Sequence, residues 1–136
     1  MNKKKMELAG YRLQRAVEKL EIAKYSLKKD LYISSLSNSY YSIFHSTRAL
    51  FALEGIDSKT HKGVIHLFNM HFIRTGLLPA KLNSILSGAL EMKLDSDYED
   101  FYLVTKEETE EQYENALYFN EEIINFIKKH YNVDLE

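Results

Sequence analysis

Ala9-Gly10-Tyr11-Arg12-Leu13-Gln14-Arg15-Ala16-Val17-Glu18-Lys19-Leu20-Glu21-Ile22-Ala23-Lys24-Tyr25-Ser26-Leu27 is the stretch on which the fold turns. Ala9, Leu13, Ala16, Leu20, Ala23 and Leu27 recur within it at intervals of 4-3-4-3-4. That spacing places all six on one helical stripe, with Arg12, Arg15, Glu18, Lys19 and Lys28 off it. The reading is a long amphipathic helix over roughly residues 4–29, with Asp30 as a candidate N-cap for the next element.

Downstream, the same period continues. Between Leu31 and Glu54, the residues Ile33, Leu36, Tyr40, Ile43, Phe44, Leu50 and Phe51 share a broad arc at 100° per residue. Gly55 then suits the left-handed conformation that closes a helix. Residues 55–61 read as a loop, and Ser58 or Thr60 is placed to cap a third helix over roughly 61–74, stopped by Gly76. Pro79 suits the first turn of a fourth helix running to about Leu94. Residues 95–104 read as an acidic, aromatic loop. Thr105 and Glu108 form a capping box that opens a fifth helix, whose Tyr113, Ala116, Leu117, Asn120, Ile123, Ile124, Ile127 and Tyr131 fall on one side. The expected fold is therefore all-α: one domain over 1–136, an antiparallel bundle of about five helices.

Composition removes several classes of function. One proline and five glycines in 136 residues leave little chain for turns. A formal net charge of −2 provides no chain-wide basic field for nucleic acid, although Lys3, Lys4 and Lys5 with Arg12, Arg15 and Lys19 sketch a modest basic strip. With no cysteine there is no disulfide, thiolate zinc site or cysteine nucleophile. No signal-peptide core follows Met1, and no window approaches the ~20 apolar residues of a membrane span. A cytoplasmic location without membrane attachment is expected.

Two constellations carry candidate chemistry. Tyr41, His45 and Arg48 stand at i, i+4 and i+7, a polar stripe beside the apolar arc. Such a stripe either lines a groove or forms a hydrogen-bonded network that fixes the helix register. The loop residues Lys59, Thr60 and His61 precede a helix start, which attracts anions such as phosphate but equally forms a capped, solvated turn. Gly63 permits close approach of another group. A metal is not expected. His61, His66 and His71 are five apart, so successive rings diverge by ~140° on a helix. No Glu-x-x-His pair occurs either. No cofactor loop or dinucleotide fingerprint is present.

Ser39-Tyr40-Tyr41-Ser42-Ile43-Phe44-His45-Ser46-Thr47-Arg48-Ala49-Leu50, then Gly55, then Lys59-Thr60-His61-Lys62-Gly63-Val64, resembles the stand-alone prokaryotic branch of the HEPN ("higher eukaryotes and prokaryotes nucleotide-binding") superfamily. Arg15-Ala16, Leu20 and Ala23 before that motif fit as well, as do Phe68, Phe72, Gly76 and Asp97-Tyr98 after it. The resemblance implies a five-helix bundle, frequently a homodimer, and two functional classes. Many HEPN proteins are similar to metal-independent ribonucleases, often toxins, that use an Arg with a His four to six residues later. Others resemble non-catalytic partners of minimal nucleotidyltransferases in toxin–antitoxin-like pairs. This chain departs from the ribonuclease pattern, since the first histidine after Arg48 is His61, across a loop.

Three readings follow, in this order. The first is a nucleotide- or RNA-binding subunit with a nucleotidyltransferase partner, in which Tyr41, Arg48, Lys59, Thr60 and His61 hold the nucleotide and its phosphate. The second is a ribonuclease in which His61 or His45 acts as base and Arg48 stabilises the transition state. The third is a non-catalytic interaction bundle.

Overall fold

The computed structural model describes residues 2–135. Five helices follow one another: α1 (Lys3–Lys28), α2 (Tyr32–Glu54), α3 (His61–Phe68), α4 (Ala80–Tyr98) and α5 (Lys106–Tyr131). The fold is an all-α bundle, as the apolar periodicity requires. Among the described residues no helix is long and apolar enough to cross a membrane.

The α1–α2 pair is the spine, and small residues set its spacing. Ala9, Ala16 and Ala23 lie seven apart on α1, and Ser35, Ser42 and Ala49 lie seven apart on α2; all six are buried. Ser35 Oγ donates to the Ala23 carbonyl at 2.9 Å, and Ser42 Oγ to the Ala16 carbonyl at 2.7 Å. These two bonds fix an antiparallel register in which the paired residue numbers sum to 58, so Ala9 comes opposite Ala49. Small side chains let the backbones approach, and the serine hydroxyls are satisfied by the carbonyls they meet. Asn120 of α5 joins this layer, its Nδ2 donating to Ser42 Oγ at 2.7 Å.

The rest of the core is aromatic and aliphatic. Phe68 packs against Phe72 and Phe119 at ring-centroid distances of 5.9 and 5.8 Å, and Phe51 stacks on Phe72 at 6.3 Å. Phe119 and the buried serines of α2 lie outside the residues that periodicity picked out. Ile33, placed there in the apolar arc, is 45% exposed.

Three local expectations change. Asp30 does not cap α2, whose N-cap is Leu31, without a side-chain bond. Asp30 instead adopts φ 60 and closes α1: its N–H bonds the Leu27 carbonyl and that of Leu31 bonds the Ser26 carbonyl. This is a left-handed helix stop occupied by a residue with a Cβ. Asp30→Gly relieves that conformation and is expected to raise stability by about 0.5–1 kcal/mol, read from the midpoint of urea unfolding. An unchanged or lower midpoint would count against the assignment.

The third helix is α-helical only to Phe68; Asn69–Ile73 form a π turn, with the Arg74 N–H bonded to the Asn69 carbonyl at 2.8 Å. Val64, Phe68 and Phe72 are all buried although they are four apart. Four-residue steps drift by about 40° on an α-helix, and the wider π turn takes that drift back so that Phe72 still faces the core. The fourth helix runs on to Tyr98 because Lys93 pairs with Asp97 one turn later and Ser96 Oγ donates to the Lys93 carbonyl. Pro79 sits just outside this helix, as its N-cap. The Thr105–Glu108 capping box forms as expected, with both of its reciprocal bonds present.

Candidate functional site

The site begins at the C-terminal half of α2. Tyr41, Phe44 and Arg48 leave this helix on one side. Gly55 takes φ 68 and turns the chain back, so that residues 57–61 return alongside them. The result is a cleft of roughly 650 Å³ lined by Tyr41, Phe44, Arg48, Asp57, Ser58, Lys59 and His61. Of the residues singled out in the sequence, Tyr41, Arg48, Lys59 and His61 meet here. Arg48 and His61 are thirteen apart in sequence yet border one opening.

Thr60 and His45 are placed differently. Thr60 Oγ1 accepts the Gly63 N–H at 2.9 Å, so its hydroxyl serves as the N-cap of α3. His45 lies beside Tyr41, ring centroids 6.3 Å apart, on the side of α2 that faces α1. Its pKa falls to about 4, first because it is half-buried and then because Arg15, Lys19, Arg48 and Arg12 surround it. The basic strip anticipated on α1 thus reaches the polar edge of α2.

The cleft floor is aromatic. Phe44 lies 4.7 Å from His61 between centroids, Tyr41 lies 6.1 Å from His61, and the Arg48 guanidinium carbon stands 5.7 Å over the Phe44 ring. Tyr40, beneath them, is fully buried, and its hydroxyl is 2.5 Å from His61 Nδ1. A buried phenol O–H needs an acceptor. Nδ1 supplies it, which leaves the proton of the neutral ring on Nε2. Burial, and then the charge of Lys93, lower the His61 pKa, so the ring is neutral at pH 7.

Arg48 is not a free cation. Its Nε and Nη2 donate to the two carboxylate oxygens of Asp57 at 3.0 and 2.6 Å. Asp57 Oδ2 also accepts from Arg12 Nη2 at 3.0 Å, and Arg12 Nη1 donates to the Arg48 carbonyl at 2.9 Å. Burial raises the Asp57 pKa. The hydrogen bonds from Arg48 and the Ser58 N–H, with the charges of Arg12 and Arg48, outweigh that and hold it at about 2. Two arginines against one carboxylate leave a net positive charge at the cleft edge, to which Lys59 adds. Lys93 of α4 stands 5.4 Å over the Tyr41 ring and pairs with Asp97.

Asp57, Lys93 and Tyr40 are the residues that sequence reasoning missed. For Asp57 a signal existed: it is the only acid between Glu54 and Glu91, set among the cations of the loop. No spacing rule links α4 to α2, so Lys93 had none.

Gly63 was read as permitting close approach, and the approaching group is internal. A Cβ there would lie 1.9 Å from Ser58 Oγ and 2.8 Å from Thr60 Oγ1. Gly63→Ala therefore displaces the cap and the loop that carries Lys59. About 1 kcal/mol of stability is expected to be lost, measured as a drop in melting temperature. A variant as stable as wild type would show that the loop yields without cost.

Chemically, the cleft offers flat rings for stacking, a donor imidazole and cations at its rim. Among the described residues no group of three or more His, Asp or Glu side chains is placed to hold a metal ion. A sequence model of the HEPN domain matches residues 9–130, which contain the whole cleft. A protein of Methanocaldococcus jannaschii named "Putative toxin" is 32% identical over 114 residues, 84% of this chain and 81% of the relative. A second protein of that organism with the same name is 32% identical over 98 residues, 72% of this chain and 67% of the relative. A UPF0332 protein of Thermotoga maritima is 32% identical over 98 residues, 72% of this chain and 74% of the relative. With the family's domain spanning α1 to α5 and relatives at this identity across most of the chain, this protein is a member of the HEPN domain family.

Proposed function

We propose that this chain is a nucleotide- or RNA-binding HEPN protein of a toxin–antitoxin-like pair, working in the cytoplasm beside a minimal nucleotidyltransferase partner. One observation carries the binding half: an open cleft with Tyr41 and Phe44 as its floor and Arg48, Lys59 and His61 at its edge. A base stacks on aromatic rings, and a phosphate takes charge-assisted hydrogen bonds from Arg48 and Lys59 together with the Nε2–H of His61. The toxin names carried by two relatives support the pair, and the resemblance supplies the nucleotidyltransferase.

Titration with nucleoside triphosphates and a short single-stranded RNA tests the binding. Saturating ligand raises the melting temperature, because it binds the folded state alone. No shift with any of them overturns the reading. The partnership is tested separately, by co-elution with a minimal nucleotidyltransferase encoded beside this chain. Elution as two separate species removes the partner and leaves the cleft.

A second reading has its own observation. Arg48 and His61 line one cleft despite lying outside the usual ribonuclease spacing, an arrangement that suits metal-independent RNA cleavage. The Tyr40 hydroxyl on Nδ1 favours binding over catalysis, since a base at Nε2 needs the opposite tautomer. RNA cleavage in the presence of chelator, lost in Arg48→Ala and His61→Ala, would establish the enzyme instead.

A further inference from the structure

We propose that the groove between the α1–α2 turn and the start of α5 docks a cationic, apolar segment of another protein. The groove shares no residue with the cleft, so the inference stands apart from the reading given above. It has a volume of about 420 Å³, with Leu31, Tyr32 and Ile33 on one side and Tyr102, Leu103 and Val104 on the other. Leu31 is 54% exposed, Ile33 45% and Leu103 91%. Along the chain from Leu103 the apolar surface continues to Phe101 and Tyr98, which are 96% and 82% exposed.

Single apolar side chains on a surface need no explanation. Five large ones gathered at one end of the bundle, among acids, have the character of a protein-docking surface. Phe101 adds to this. Its φ of 56 lies in the left-handed region, which disfavours a bulky side chain. A ring so exposed gains no burial from that conformation, and strain without an internal gain is found where a side chain is kept for a ligand or partner.

Charge selects the occupant. Residues 95–114 hold nine acids and a single base, Lys106, whereas the whole chain carries only −2. Those acids act on the groove itself. Burial, then Asp30 by charge and hydrogen bond, then Glu107 and Glu110, raise the Tyr32 pKa above its ordinary value. Tyr102 on the opposite wall is raised by burial and then by Asp95, Glu108 and Glu99. Lys29, at the α1–α2 turn, stands 5.7 Å over the Tyr25 ring, and Lys28 and Lys106 leave the balance negative.

An apolar groove rimmed by acids repels nucleic acid and anionic lipid and attracts lysine and arginine side chains. A protein segment that combines such cations with leucine-like side chains meets both features, its apolar groups filling the groove and its cations meeting the rim. A second copy of this chain fits less well. The same end of a second copy would bring acid to acid. Its basic strip at Lys3, Lys4 and Lys5 would join head to tail, a contact that leaves a free groove on every added copy.

Fluorescence anisotropy of the full chain with three labelled synthetic peptides of one length tests the docking. One combines leucine with lysine, one leucine with glutamate, and one serine with lysine. Only the first is expected to bind saturably. Leu103→Ser weakens that binding by about ten-fold. Glu110→Lys weakens it by about three-fold. Both side chains are exposed, so neither variant moves the melting temperature. Glu7→Lys makes the same change of net charge about 30 Å from the turn along α1, and binds as wild type does.

Equal weakening by Glu7→Lys and Glu110→Lys would mean attraction to net charge alone. Binding that survives Leu103→Ser would place the peptide elsewhere. Either result overturns the proposal, as does equal binding of the glutamate peptide or no binding of the leucine–lysine peptide. Sedimentation of the chain alone covers the remaining occupant: species that grow with concentration and are dispersed by Glu110→Lys would give the groove to a second copy instead.

Discussion

Arg48→Ala lowers both the stability of the fold and its affinity for a phosphate-bearing ligand, whereas Lys59→Ala lowers the affinity alone. The difference follows from what each cation already holds. Arg48 places two hydrogen bonds on Asp57 and, through its own carbonyl, receives Arg12 of α1. Its removal cuts the link between α2 and the loop that shapes the cleft. Asp57 keeps Arg12 and the Ser58 N–H, so it is not stranded. Allowing for the exposure of the pair, the stability loss is about 1–2 kcal/mol.

A phosphate that takes one charge-assisted contact from Arg48 loses about 1.5–3 kcal/mol of binding without it, or roughly 10- to 100-fold in affinity. Lys59 is exposed and makes no bond that the fold depends on, so its loss is read in binding only. Isothermal titration with a nucleotide, beside urea unfolding of the same samples, separates the two effects. If Lys59→Ala binds as wild type does and Arg48→Ala loses stability alone, the arginine is a structural strut and the cleft is not a phosphate site.

The Asp57 linkage supplies an internal check on that pair. A carboxylate whose folded pKa is held at about 2 adds stability that is fully present above its unfolded value near 3.8 and is lost as the pH falls toward 2. The stability gap between wild type and Arg48→Ala should therefore shrink most below about pH 4, after a smaller narrowing between pH 6.5 and 4 as His45 is freed of the Arg48 charge.

The bundle was legible because its signal is redundant. Six residues of α1 at 4-3-4-3-4 spacing, the Gly55 stop and the Thr105–Glu108 box each point to the same helices. What periodicity hid were features in which a polar residue does the work of an apolar one. Ser35 and Ser42 are buried as carbonyl donors that let α1 come close. Asp30 looked like a cap but closes the preceding helix, because a short turn offers one residue to two competing roles.

The cleft was legible in part. Tyr41 and Arg48 share a helix stripe, and Lys59 and His61 follow in a short loop, so their meeting needs only one reversal of the chain. Asp57 changes the meaning of Arg48 by binding it, and no reading of helix faces foretells which loop carboxylate an arginine will take. His45 belongs to the same stripe as Tyr41 but does not line the cleft, and the cations of α1 act on it instead.

That position makes His45 a pH-sensitive group of the fold. Its ordinary pKa of 6.5 drops to about 4 in the folded chain, first through burial and then through Arg15, Lys19, Arg48 and Arg12. Above pH 6.5 the ring is neutral in both states and has no effect. Between 6.5 and about 4 the unfolded chain takes up a proton that the folded chain refuses, so stability falls as the solution is acidified. Below about 4 both states are protonated and the loss is complete. After discounting for solvent reach, that loss is about 1–2 kcal/mol.

His45→Gln removes this term, so its unfolding midpoint declines less than that of wild type between pH 7 and pH 4.5. The slope that remains belongs to His61, whose pKa is lowered in the same direction, while Asp57 acts only at lower pH. Salt separates the two causes at His45. It screens the four cations but leaves burial untouched, so high ionic strength recovers only part of the loss. Equal pH dependence in wild type and His45→Gln would mean that the ring takes up its proton in the folded state as readily as in the unfolded one, and that the α1 cations do not crowd it.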